Sequence, residues 1–192
     1  MPEGYRKAMR LMDLAARLRL PVITLVDTPG AYLGEGAEER GIAMALSDSL
    51  ARMSVLPVPT VTVIIGEGGS GGALALGVAD RVLMLERAVY SVIAPEGAAA
   101  ILFRDASRAP EVAESLKITA ADCFRLGVVD GVVPEPEGGA HTDPDYAAAL
   151  LLHALTDALG ELVDASPEKL VRERYRKFRR MGQHNTYLRE MI

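Results

Sequence analysis

Apolar and polar positions alternate along this chain in two different rhythms. Residues 4–19 place Tyr5, Met9, Met12 and Ala16 beside Leu11, Ala15 and Leu18 at helical spacing, and Pro21 ends the run. "VITLV" (22–26) then reads as a short buried strand. "DTPGAYLGEG" (27–36) is dense in turn residues. Glu38 and Glu39 suit the first turn of a second helix reaching about Ser54, because the positive end of the helix dipole favours carboxylates. "PTVTVII" (59–65) is a second apolar strand, followed by a glycine-rich stretch and a short helix of Gly, Ala and Leu. "RVLML" (81–85) and "VYSV" (89–92) complete the strand-like segments.

Strand alternating with helix, with strands that are apolar along their whole length, is the pattern of parallel strands covered on both faces. An α/β fold is therefore expected. Beyond residue 93 the pattern turns mainly helical. Helices are predicted over "APEGAAAIL" (94–102) and "TAADCFRLG" (119–127), where Thr119 and Asp122 resemble a capping box. "VVPEPEGGAHTDPD" (132–145) is expected to be a loop. Two closing helices follow, one from about Tyr146 and one from Ser166-Pro167-Glu168, an N-cap followed by proline. The organisation expected is one domain over 1–192, with 145–192 as a C-terminal helical extension.

Composition narrows the function. At 192 residues, with 49% hydrophobic and 24% charged residues, the chain suits one globular domain with a sizeable core. A net charge of −5 argues against a nucleic-acid partner, and no apolar run approaches the ~20 residues of a membrane span. The single cysteine, Cys123, excludes an internal disulfide and fits a cytoplasmic setting. The cysteine and three histidines match no metal-ligand spacing, so no metal is expected.

The stretch "IGEGGSGGAL" (65–74) carries the candidate chemistry. Gly66 to Gly71 fit G-x-G-x-x-G, the dinucleotide fingerprint, but only about nine residues separate Gly71 from the strand at Arg81, short for such a crossover. Gly68 to Gly72 fit G-x-S-x-G, which makes Ser70 a candidate nucleophile, with Asp130 and His141 in Ser–Asp–His order. The simpler reading of Ser70 is a cap on a helix beginning at Gly71. A third reading needs no side chain: unpaired amides at a helix start, with no Cβ at Gly71 and Gly72, form an oxyanion hole. Against it stands the possibility that the glycines only allow close helix–strand packing. From this stretch alone the last two readings stay open.

A wider set of segments resembles one family. "PEGYRKAMRLMDLA" (2–15), "DTPGAYLGEGAEERG" (27–41), "VIIGEGGSGGALALGVADRVLMLE" (63–86), "YSVIAPEGAAAIL" (90–102) and "VVPEPEGGAH" (132–141) together resemble the alpha subunit of bacterial-type acetyl-coenzyme A carboxylase carboxyltransferase. The resemblance implies a crotonase-like (ClpP/crotonase) superhelix of ββα units. It implies transfer of a carboxyl group from carboxybiotin, borne on a separate biotinyl carrier protein, to acetyl-CoA, giving malonyl-CoA. The partners implied are a carboxyltransferase beta subunit, which carries a zinc ribbon and most of the acetyl-CoA, and the carrier, in a hetero-oligomer.

The family's oxyanion hole falls on Gly71 and Gly72, with Gly30, Ala31, Tyr32, Gly68, Gly69 and Ser70 expected around the biotin. Family members carry a further segment before the PEGYRKA motif, so the chain is expected to lack the N-terminal part of the fold. Leu33 stands where the family loop has proline, and Ala98 where it often has cysteine. The alternatives are a non-catalytic truncated assembly module, or a serine hydrolase using Ser70. The basic run "RERYRKFRRMG" (172–182) is read as a solvated helix face before a contact for coenzyme A phosphates across a subunit boundary.

Overall fold

The structure, a computed structural model, describes residues 1–182. The expected residues 183–192 of the C-terminal extension lie outside the described residues.

The named strands all pair in parallel. Strand β1 (Val22–Thr28) pairs with β2 (Thr60–Gly69), β2 with β3 (Arg81–Leu85), and β3 with β5 (Gly131–Val133). The short β4 (Val89–Ser91) pairs instead with the far end of β2, Glu67 opposite Val89 and Gly69 opposite Ser91. One long strand thus changes neighbours halfway: Val61–Ile64 lie beside β3, and Glu67–Gly69 beside β4. Val61, Val63 and Ile64 are buried, as a strand covered on both faces requires.

Helix α1 (Pro2–Leu18) packs on α3 (Ile42–Ser54), and the two halves of the expected second helix are separate. The short α2 (Glu35–Glu39) stops because Gly41 adopts φ +74, a left-handed conformation that breaks the ladder before α3. Helix α4 (Ser70–Gly77) is apolar on every side, with Ala73 and Ala75 at 0% exposure, so it is a core helix. Polar side chains of neighbouring elements satisfy its carbonyls. Ser49 donates to Ala75, Thr24 and Thr62 both donate to Leu76, and Tyr5 donates to Gly72.

Helices α5 (Pro95–Phe103), α6 (Ala109–Leu116) and α7 (Ala120–Arg125) follow, with Ala98, Ala99 and Val112 forming a small second core. The cap at Thr119 accepts from the Asp122 amide, as expected. The segment expected as a loop over 132–145 begins inside β5, whose three residues are too few to show a period.

Helices α8 (Pro144–Gly160) and α9 (Pro167–Arg180) close the described chain, and Ser166 caps α9 by accepting from the Lys169 amide. The basic run on α9 is not simply a solvated face. Arg174 is 1% exposed: it donates to both carboxylate oxygens of Asp80 and to the carbonyls of Met53, Leu56 and Val58. Asp80 in turn accepts from the amide and hydroxyl of Thr60. Among the described residues, no helix is long and apolar enough to cross a membrane.

Candidate active site

The glycine stretch is not a loop. Gly66 to Gly69 continue β2, and α4 begins at once with Ser70, so strand and helix meet at a single residue. That residue is Ser70, at φ +51. A left-handed non-glycine costs roughly 1 kcal/mol and marks a strained turn. The expected helix cap at Ser70 is corrected: Gly69 holds the N-cap position, and no side chain caps the first turn. The left-handed turn leaves Ser70 exposed, and its hydroxyl has no hydrogen-bond partner among the described residues.

A Cβ added at each glycine meets a different neighbour, which separates packing from chemistry. At Gly66 it would lie 2.5 Å from the Asp27 carboxylate, whose Oδ1 accepts from the Glu67 amide at 2.9 Å. At Gly68 it would meet the Tyr90 ring at 2.7 Å, and at Gly69 the Pro29 carbonyl oxygen at 2.1 Å. At Gly72 it would come 2.6 Å from the Ala31 nitrogen. These four glycines let the 27–31 loop, the Asp27 side chain and Tyr90 press onto bare backbone. Gly71 is different: its nearest neighbour would be the Leu46 Cδ1 at 3.8 Å, an ordinary contact.

Ser70 and Gly71 line a cavity of about 350 Å³ with Leu74, Tyr90, Val92 and Phe178. Gly72 lines a different one, about 310 Å³, with Tyr5, Asp27 and Thr28. The two expected oxyanion residues therefore line separate cavities. Gly30, at φ +145, and Ala31 lie against the start of α4, where Thr28 turns the loop by accepting from the Gly30 amide at 3.2 Å. Tyr32 points away, 61% exposed, its ring folded over Gly34.

Sequence reasoning missed Tyr5, Asp27 and Tyr90. Asp27 had a readable signal, a carboxylate directly after an apolar strand. Tyr5 and Tyr90 had none, because each acts on a residue far from it in sequence.

Electrostatics in the larger of these two cavities favours backbone donors over side-chain bases. Burial pushes the Tyr90 hydroxyl up, with Cys123 adding to it, and burial pushes the Cys123 thiol up, helped by Asp122. Both stay protonated near neutrality, so neither is a nucleophile or base there. The first-turn amides of α4 have no partner in the helix ladder by geometry, and no loop carbonyl or side chain takes the Gly71 amide among the described residues. Ser70, Asp130 and His141 are not brought together as a relay. Asp130 accepts from the Val82 amide and from the Lys177 ammonium at 2.6 Å, and no hydrogen bond joins it to His141 among the described residues.

A parallel sheet whose central strand turns abruptly into a core helix, leaving backbone amides beside a cavity, is an arrangement this chain has in common with solved carboxyltransferases of the crotonase-like fold. The chain matches transcarboxylase 12S at 29% identity and TM-score 0.64, covering 80% of this chain and 31% of that one. It also matches a chain of a Pseudomonas malonate decarboxylase hetero-tetramer at 20% identity and TM-score 0.71, covering 98% and 76%, a likeness that shows the fold alone.

Residues 1–182 match the family described as acetyl co-enzyme A carboxylase carboxyltransferase-like, and the chain belongs to that family. It is 64% identical over 181 residues to the acetyl-coenzyme A carboxylase carboxyl transferase subunit alpha of Thermus thermophilus, covering 94% of this chain and 58% of that protein. It is 59% identical to a protein of Salinispora tropica named as subunits beta/alpha of the same enzyme, of which it covers 32%. The chain thus spans less than two thirds of the curated relatives it matches.

Proposed function

We propose that this chain forms part of a carboxyltransferase that moves a carboxyl group from carboxybiotin on a biotinyl carrier protein to acetyl-CoA, yielding malonyl-CoA. The observation that carries the reading is the uncapped start of α4, where Gly71 presents bare backbone to a cavity of about 350 Å³. Family membership supports the reaction class. The Salinispora relative, which joins beta and alpha in one name, supports a beta-type subunit as partner.

Biotin fits this cavity by chemistry: an apolar wall of Leu74, Val92 and Phe178 suits its ring, and a backbone donor suits its ureido oxygen. When bound, biotin supplies the carboxyl group. The chain's own task is electrostatic. The Gly71 amide, with the positive end of α4 behind it, donates to the oxygen on which negative charge develops. Being fixed beforehand, it stabilises that charge more than the neutral ground state. Gly72 fits a supporting role, since the lack of a Cβ there lets Gly30 and Ala31 lie directly against the helix. Ser70 supplies the turn, and its hydroxyl has no base to activate it.

The test is Gly71→Val in the complete enzyme, assayed for malonyl-CoA formation with carrier and beta-type subunit. The side chain has room, so the fold is expected to persist, while the oxygen is kept from the amide. Loss of one such donor costs about 10²–10³-fold in kcat. A folded variant turning over at the parental rate overturns the assignment.

A further inference from the structure

Helix α4 is least secure at its N-terminal turn. That turn begins at the left-handed Ser70 and continues through Gly71 and Gly72, and glycine is the poorest helix former after proline. No side chain caps it. A donor fixed before the reaction stabilises developing charge better than one that must first be ordered. A turn of this composition therefore needs a hold from outside the helix.

Among the described residues, four side chains reach the backbone of α4. Ser49 donates to the Ala75 carbonyl at 2.6 Å, and Thr24 and Thr62 donate to that of Leu76 at 2.9 and 2.8 Å, all in the second half of the helix. Tyr5 alone reaches the first turn, donating its hydroxyl to the Gly72 carbonyl at 3.1 Å. Helix α1, which carries Tyr5, is tied down on both sides of it. Glu3 pairs with Arg40 at 2.7 Å, Arg6 donates to the Arg40 carbonyl at 2.6 Å, and Met12 is buried in the core. Tyr5 is half-buried, and burial raises its hydroxyl above the ordinary 10.0, so it keeps its proton and donates at neutral pH.

Tyr5 lines the cavity of about 310 Å³ on the Gly72 side of α4 and does not line the cavity of about 350 Å³ beside Gly71. Its place is against the helix, away from the apolar wall proposed for biotin. We infer that Tyr5 is a positioning residue: its hydroxyl, bound to the Gly72 carbonyl, fixes the first turn of α4 from behind and so holds the Gly71 amide in one orientation beside its cavity. The inference rests on the reading of Gly71 as the donor and names the group that orders it in advance.

The experiment compares Tyr5→Phe, Ser49→Ala and Gly71→Val in the complete enzyme, assayed for malonyl-CoA formation over a range of carrier concentrations. Tyr5→Phe removes one oxygen and keeps the ring, so the fold is expected to persist. Loss of its hydrogen bond is expected to lower kcat roughly threefold to tenfold with KM nearly unchanged, because the bond acts on the transition state through Gly71. Ser49→Ala removes a bond of the same kind from the second half of α4 and is expected to leave kcat unchanged. Installing 4-aminophenylalanine at position 5 restores a donor in the same place and is expected to recover much of kcat. In the full chain, 15N relaxation is expected to show the Gly71 and Gly72 amides more mobile in Tyr5→Phe and unchanged in Ser49→Ala. Parental kcat in Tyr5→Phe beside a slowed Gly71→Val overturns the inference and leaves the role of Gly71 standing. Parental rates in both variants overturn that role, and the inference with it. Equal losses in Tyr5→Phe and Ser49→Ala, a loss confined to KM, or unchanged mobility of the two glycine amides also overturns the inference.

Discussion

Five glycines within seven residues have unequal work to do. Gly66, Gly68, Gly69 and Gly72 are glycine because other atoms occupy the space of a Cβ, while Gly71 has open space beside it. Gly72→Ala is therefore expected to destabilise the chain by about 1–3 kcal/mol, the usual cost of forcing atoms into a packed position. Gly71→Ala is expected to leave stability nearly unchanged. Urea unfolding of the two variants checks the contrast, and equal destabilisation would mean that both positions serve packing. The glycine-rich pattern itself was plain in the sequence. Which glycine does what was not, because a Cβ clash depends on Pro29, Ala31 and Tyr90, brought close only by the fold.

At the scale of elements, the periodic helices and the apolar strands were legible, and their ends were less so. Helix α1 and the Ser166 cap of α9 stand where the spacing places them. The division between α2 and α3 depends on the left-handed Gly41, and the extension of β2 through Gly69 on its pairing with β4. The attachment of α9 follows from no sequence rule, since Arg174 looks like its basic neighbours. Arg174→Met leaves Asp80 buried without its cation and removes a donor from the carbonyls of Met53, Leu56 and Val58. Removing one partner of a buried ion pair costs about 3–5 kcal/mol. Urea unfolding is expected to show a loss of that size, part of it restored when Asp80→Asn is combined with it.

For the whole molecule, burial of Cys123 and Tyr90 makes stability depend on alkaline pH. Burial raises both groups, so the folded chain keeps their protons where the unfolded chain has begun to release them. Stability is thus fully present below their ordinary values of 9.0 and 10.0, and is lost as pH rises through the folded values. Burial lowers Lys177, which acts in the opposite sense over the same range, so the Cys123 contribution is read by difference: between about pH 8 and about pH 10 the denaturation midpoint of Cys123→Ala is expected to fall less, or rise more, than that of the parental chain. An unchanged slope in that variant would show that the thiol takes no part. The amino-acid sequence by itself determined the parallel α/β class, the order of the main helices and strands, the family and the position of the backbone-donor candidate. Those features come from local periodicity and from short motifs, which contain their own physics. Only the tertiary structure decided that Gly71 and Gly72 line different cavities, that Arg174 is a buried anchor, and that Asp130 pairs with Lys177 and not with His141. Each of those outcomes depends on which distant backbone or charge occupies the neighbouring few ångströms, and that is a property of packing.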